Sequence, residues 1–171
     1  MTAAPPEALN LDRIETPIGT ALVATDEAGV LRAFNWTDYE PAMRAWIDRR
    51  YPKAKLVEGA GPLRSAFAAY FAGEVEALSA VAWEGAGTPF QRQVWAALCT
   101  IPAGETLSYA GLANRIGRPS AVRAVGLANG SNPVALVVPC HRVIGSDRSL
   151  TGYGGGLHRK EWLLKHEGVL T

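Results

Sequence analysis

The spacing of apolar and polar positions changes period along the chain. Arg13–Thr16, Ala21–Thr25 and Leu31–Phe34 are short runs set apart by Pro17-Ile18-Gly19 and Asp26-Glu27-Ala28-Gly29. Runs of this kind between turn-forming residues predict strands. The spacing then becomes helical over Glu40–Arg50 and Pro62–Ala72. In the second of these, Leu63, Phe67, Tyr70 and Phe71 fall near i, i+4, i+7 and i+8, an amphipathic stripe. Its aromatics read as core, and this half shows no candidate chemistry. A composition break at Gly85-Ala86-Gly87 predicts two domains, 1–84 and 85–171.

Helical spacing dominates the second half. Thr88-Pro89-Phe90-Gln91 places Thr at an N-cap, Pro at N1 and Gln at N3, a capping box that predicts a helix to about Leu98. Val94, Trp95 and Leu98 are its expected core face, and Cys99 reads as a buried apolar thiol. After Ile101-Pro102-Ala103-Gly104 breaks the chain, Ser108 can cap a helix to Ile116 and Ser120 one over Ala121–Ala128. Two short helices joined by Gly117-Arg118-Pro119 match a helix-turn-helix. Val122 and Val125 are expected to face the core. The second helix has almost no long polar side chains except Arg123, which suits close approach to a minor groove. A packed internal helix with Arg123 reaching out to solvent fits the same residues equally well. A last helix over Leu157–Glu167 stops at Gly168. Lys160, Lys165 and His166 suit its C-terminal dipole or a basic surface, whereas the Glu167 carboxylate opposes that dipole.

Candidate chemistry lies in Asn132-Pro133-Val134-Ala135-Leu136-Val137-Val138-Pro139-Cys140-His141-Arg142-Val143. The apolar run predicts a buried strand ended by Pro139, with Cys140 where the strand emerges beside a cleft. A cysteine is a strong nucleophile only as thiolate, and a nearby imidazole favours that form. Cys140, His141 and Glu167 can be nucleophile, base and orienter. Neighbouring residues of an extended segment point opposite ways, so a turn or a bridging water has to connect Cys140 to His141.

Composition narrows the alternatives. In 171 residues, 48% are hydrophobic and 19% charged, as in an ordinary folded protein. The N-terminus has neither the basic nor the apolar region of a secretory signal, and no apolar run reaches membrane-spanning length. A cytoplasmic protein with reduced thiols and no membrane partner is expected. Cys99 and Cys140 form no CxxC, and His141, His158 and His166 have no familiar zinc spacing, so no metal is expected. Net charge is +1, but it divides unevenly. Residues 1–84 carry 8 Lys and Arg against 12 Asp and Glu, while residues 85–171 carry 9 against 4. The basic half, which also holds Cys140, has the sign of a nucleic-acid-facing surface.

Pro139-Cys140-His141-Arg142-Val143, with Asn132-Pro133 before it and Gly152-Tyr153-Gly154-Gly155-Gly156 and Glu161-Trp162-Leu163-Leu164 after it, resembles the O6-alkylguanine-DNA alkyltransferase family. So do Phe90-Gln91-x-x-Val94-Trp95, Ile101-Pro102-x-Gly104-x-Thr106-x-Ser108-Tyr109 and Arg123-Ala124-Val125-Gly126, and the match runs from about Thr88 to Gly168. The N-terminal half resembles the variable domain of that family more weakly. The resemblance implies an α+β fold: a small ribonuclease-H-like α/β domain, then a mostly helical domain with a helix-turn-helix and a short active-site strand.

By the same resemblance the protein repairs DNA directly and once per molecule. It takes an alkyl group from O6 of guanine, with O4 of thymine a second admitted position, onto Cys140. His141 would remove the Cys140 proton through a water, Glu167 would polarise His141, and Tyr109 would assist the leaving base. Asn132 would brace the recognition helix against the active strand. Arg123 would fill the gap left by a flipped base while Ser108, Ala124 and Gly126 face the minor groove. Arg142, Val143, Tyr153 and Gly154 would contact the base, Gly154 standing where relatives often carry serine. Gly130 replaces a basic residue of some relatives. The implied partner is double-stranded DNA bearing O6-alkylguanine, bound by a monomer compatible with cooperative binding, and no cofactor is implied. Two rivals remain at this point: a Cys-His hydrolase that turns over, and a DNA-binding protein without chemistry.

Overall fold

The computed structural model describes residues 4–170. The chain separates into two compact units, one ending at Ala86 and the other beginning at Gly87.

In the first unit, β1 (Ala8–Thr16), β2 (Gly19–Thr25), β3 (Leu31–Trp36) and β4 (Lys55–Glu58) form a sheet ordered β3-β2-β1-β4. β1, β2 and β3 pair antiparallel in succession, and β4 pairs parallel to β1. β1 starts five residues before the predicted strand because Leu9 and Leu11 alternate with Asn10 and Asp12, so the two leucines share a buried face. β4 lies outside the predicted strands: this edge strand is largely exposed and carries no apolar alternation. α1 (Glu40–Arg50) packs Met43 and Ile47 with Leu9, Leu11 and Leu22. α2 (Arg64–Phe71) buries Phe67 and Tyr70, and Phe67 stacks on Phe34 with ring centroids 5.7 Å apart.

The second unit holds α3 (Pro89–Leu98), β5 (Leu107–Ser108), α4 (Tyr109–Arg115), α5 (Val122–Gly130), β6 (Val143–Ile144) and α6 (Leu157–His166). β5 and β6 pair in parallel. The capping box of α3 is complete, with Gln91 N–H donating to Thr88 Oγ1 and Thr88 N–H to the Gln91 side chain. Buried Trp95 donates from Nε1 to Ala128 O at 2.8 Å, tying α3 to α5. Ser108 caps α4 by accepting from Gly111 N–H.

Several local expectations are corrected. Ser120 caps nothing: Ala121 is the N-cap of α5 and makes no side-chain bond there. Val125 is buried, but Val122 is exposed. Cys99 is exposed at the end of α3 rather than buried. Residues 134–138 are largely buried, as an apolar run should be, yet form no strand. Val138 N–H donates to Val134 O at 3.0 Å, and Leu136 takes φ 70°, so the run folds into a tight turn. The left-handed backbone of Leu136 is costly for a branched side chain and is held by the surrounding packing. The short strand near the cysteine is β6, which follows it.

Replacing Thr88 by Ala removes the side-chain acceptor of the capping box. The expected loss is about 1 kcal/mol of unfolding free energy, measured as a lower urea midpoint with unchanged slope.

Candidate active site

Cys140, His141 and Arg142 form one 3₁₀ turn between Pro139 and β6. Pro139 accepts the Arg142 N–H through its carbonyl at 3.0 Å, and Cys140 N–H donates to Val138 O at 2.9 Å. All three residues are buried, and Cys140 is 6% exposed. Asn132 pins the preceding turn at both ends. Its Oδ1 accepts from Val134 N–H at 2.9 Å, and its Nδ2 donates to Val138 O at 2.8 Å. This brace joins the residues just after α5 to those just before Cys140.

Glu167 is the C-cap of α6, buried, with Gly168 beyond it at φ 87° ending the helix. Its carboxylate serves two partners. Arg142 donates Nε to Oε1 at 2.8 Å and Nη2 to Oε2 at 3.1 Å. His141 Nε2 lies 2.8 Å from Oε2. Burial alone would raise the Glu167 pKa, but the His141 and Arg142 partners outweigh it and hold the carboxyl down at about 2. An ionised carboxylate only accepts hydrogen bonds, so Nε2 must carry the His141 proton. Burial meanwhile pushes the His141 pKa down, against the pull of Glu167, so the ring is neutral and Nδ1 is a bare acceptor. Nδ1 is buried and has no hydrogen-bond partner among the described residues. The turn therefore presents a thiol and an oriented base as neighbours.

Burial also raises the Cys140 pKa, opposed by a hydrogen bond from Asn132 and by the charge of Lys160. The resting group is a thiol. Lys160, expected on a basic surface, is fully buried, and its Nζ donates to Val143 O at 2.6 Å and Thr151 O at 2.7 Å. Its position is readable in the spacing: Lys160, Leu163, Leu164 and Glu167 fall at i, i+3, i+4 and i+7 and form the inner face of α6. Sequence reasoning also misses Asn129. It is buried on α5, with Nδ2 3.5 Å from Cys140 O.

The other sequence candidates divide between the interior and the surface. Arg142 does not face outward toward a base: besides Glu167 it holds Ile101 O through Nη1 at 2.6 Å. Its guanidinium is a structural counter-charge, which corrects the base-contacting role expected for it. Val143 is buried in β6. The Tyr153 hydroxyl is buried without a hydrogen-bond partner among the described residues, and burial raises its pKa well above the ordinary phenol value. Tyr109 begins α4, and its hydroxyl accepts from Thr151 Oγ1 at 3.1 Å. Gly154 is exposed, and a Cβ there would meet nothing within 4 Å. On α5, Arg123 and Ala124 are exposed and Leu127 is 72% exposed. A Cβ on Gly126 would sit 3.8 Å from the Tyr109 ring, an ordinary contact. Gly130, at the end of the same helix, is exposed with open space around it. No group of three or more His, Cys, Asp or Glu suited to a metal occurs among the described residues. No helix among them is long and apolar enough to cross a membrane.

A buried cysteine with a fixed histidine base, in the same unit as a helix-turn-helix, defines a class of protein that performs thiol chemistry beside a nucleic-acid-binding motif. Residues 89–169 match the family described as 6-O-methylguanine DNA methyltransferase, DNA binding domain. Over 163 residues the chain is 47% identical to a methylated-DNA–protein-cysteine methyltransferase of Shigella flexneri, covering 93% of this chain and 95% of that one. The O6-methylguanine methyltransferase of Mycobacterium tuberculosis superposes with TM-score 0.77 at 42% identity, covering 93% of this chain and 92% of that one. A structure of the M. tuberculosis protein in complex with DNA matches with TM-score 0.77 at 41% identity, covering 92% of each chain. This chain belongs to the methylated-DNA–protein-cysteine methyltransferase family, whose reaction is direct-reversal alkyl transfer from DNA to a protein cysteine.

Glu167 has its carboxyl pKa lowered on folding. Its stabilisation is complete above the unfolded value of 4.5 and is lost as pH falls toward about 2. Glu167→Gln is expected to flatten the stability–pH curve across that window by an amount on the order of 3 kcal/mol, measured by urea unfolding at stepped pH.

Proposed function

We propose that this protein repairs O6-alkylguanine in double-stranded DNA by moving the alkyl group irreversibly to Cys140. The observation that carries the reading is the 2.8 Å contact between His141 Nε2 and the Glu167 carboxylate. With Nε2–H committed to Glu167, only Nδ1 can accept a proton, and Nδ1 is the unpartnered nitrogen on the turn that holds Cys140. The Cys140 proton passes to His141 through a water. The thiolate attacks the saturated alkyl carbon, a C–S bond forms, the C–O6 bond breaks and guanine leaves. The proton left on His141 makes an imidazolium, which Glu167 stabilises. No tetrahedral intermediate forms, so the charge to be met is on the departing base. The Tyr109 hydroxyl keeps its own hydrogen while accepting from Thr151 and can donate it to that base. The product thioether is stable, so each chain acts once, without a cofactor.

Guanine in a duplex is stacked, and its alkyl carbon reaches a buried sulfur only after the base is extruded. The exposed face of α5 suits this step. Arg123 has no hydrogen-bond or ion-pair partner among the described residues, and Ala124 and Gly126 add little bulk around it. Small residues let the helix backbone approach the minor groove while Arg123 enters the vacated stack. Ser108 caps α4 through its oxygen and retains its hydroxyl hydrogen for a phosphate or sugar. In this reading Val143, Tyr153 and Gly154 line the base pocket, and at Gly154 a backbone N–H is kept where a serine hydroxyl would be lost.

Incubation with duplex O6-methylguanine DNA is expected to add one methyl per chain at Cys140, located by peptide mass spectrometry. Cys140→Ala should take up none, and repeated turnover without modification would reject the assignment. Arg123→Ala is expected to slow repair of duplex DNA by roughly tenfold or more while leaving reaction with free O6-benzylguanine nearly unchanged. Equal losses on the two substrates would remove Arg123 from the stack. Raising salt should weaken DNA binding through counterion release, read as a negative slope of log affinity against log salt concentration.

A further inference from the structure

Lys160 is a buried cation that lacks a buried anion. Its Nζ bonds only to two neutral carbonyls, Val143 O and Thr151 O, and no carboxylate pairs with it among the described residues. Glu167, the buried acid of the site, is already matched by Arg142. Burying an ammonium against carbonyl dipoles alone is expensive. A methionine would fill a similar volume on α6 without that cost. The arrangement makes sense if an anion forms beside the ammonium during the reaction. Lys160 is held at Val143 O, the residue that follows the Cys140–Arg142 turn, so the sulfur of Cys140 is the group placed to become that anion.

We propose that the Lys160 ammonium is the counter-ion of the Cys140 thiolate. The proposal rests on Cys140 being the alkyl acceptor. The other charged or titratable groups of the site are otherwise engaged. His141 is held neutral, Arg142 and Glu167 offset each other, Tyr153 keeps its proton, and Arg159 donates to Gly155 O at 2.9 Å. Lys160 is therefore the cation left over while Cys140 is a thiol, and it is matched once the thiol ionises. Burial lowers the Lys160 pKa to about 8, a shift that a Cys140 thiolate would oppose. The same two hydrogen bonds fasten β6 to Thr151, and Thr151 in turn holds Tyr109. One ammonium thus positions the leaving-group donor as well as balancing the nucleophile.

The test reads the ionisation midpoint of Cys140. The exposed Cys99 is first replaced by Ser. Alkylation by iodoacetamide and by O6-benzylguanine is then followed against pH in the protein that keeps Lys160 and in its K160M and K160R variants. K160M is expected to move the midpoint of both profiles upward and to slow both reactions near pH 7 by about tenfold or more. K160R, which keeps a permanent charge, should restore the midpoint. A folded K160M protein that reacts more slowly at an unchanged midpoint would make Lys160 a packing residue and overturn the proposal. If K160M does not fold, K160R decides: a midpoint at or below that of the lysine protein supports the counter-ion, and one above it overturns it. Failure of O6-benzylguanine to label Cys140 in the lysine protein, with iodoacetamide labelling intact, would instead reject the acceptor reading.

Discussion

The site depends on one buried carboxylate. Glu167 sits where a carboxylate is unfavourable twice over, at a helix C-terminus and out of water. It is tolerated because Arg142 meets it with two N–H groups and His141 with a third. The three residues lock the end of α6 to the 3₁₀ turn, so the packing of a helix fixes the orientation of an imidazole. They also fix its chemistry, since a carboxylate with no proton of its own forces the histidine hydrogen onto Nε2. Removing Arg142 would leave Glu167 undercompensated and raise its pKa, and a protonated Glu167 would no longer hold the histidine hydrogen on Nε2. The arginine therefore acts at the nucleophile without touching it.

The same burial explains why the sulfur rests as a thiol. A permanently exposed thiolate would meet every small electrophile and oxidant in its surroundings, and a protein that reacts once cannot recover from such a loss. Low polarity around Cys140 raises the cost of the anion, and Asn132 and Lys160 return part of that cost. The thiolate then forms within the site, poorly hydrated, where its nucleophilicity is not blunted by water. Stability of the resting protein and reactivity in the complex are thus set by one balance between desolvation and fixed polar groups.

The parts of this arrangement that follow local rules are readable in the chain. The capping box at Thr88 and Gln91 depends on four consecutive residues, and the proline that ends the apolar run before Cys140 is equally local. Glu167 stands out because it contradicts the helix dipole, and a violated local rule often marks a working residue. The failures have a common physical origin. Residues 134–138 are buried enough to satisfy a strand pattern, but Asn132 and two flanking prolines fold them into a turn, and apolarity alone does not separate the two outcomes. β4, β5 and β6 are too short or too exposed for periodicity. Charge alone assigns Arg142 and Lys160 outward, whereas their partners come from Ile101, Val143, Thr151 and Glu167, most of them remote in sequence. Lys160 nonetheless falls on the inner stripe of its helix, where position is a better guide than charge.

The cysteine and the proposed DNA-facing helix also belong to one rigid piece. α5 is tied to α3 by Trp95, to the 3₁₀ turn by Asn129, and, through the residues after its C-terminus, to the turn before Cys140 by Asn132. A displacement of α5 large enough to matter for docking would have to break buried hydrogen bonds or carry Cys140 along with it. Displacement at a saturated carbon requires sulfur, carbon and leaving oxygen in line, and a small misplacement costs much of the rate. In the proposed reading, a helix that cannot move independently of the nucleophile meets that requirement, because the docking that would extrude the base would also set the line of attack. The polar brace at Asn132 is where recognition and chemistry share a single mechanical constraint.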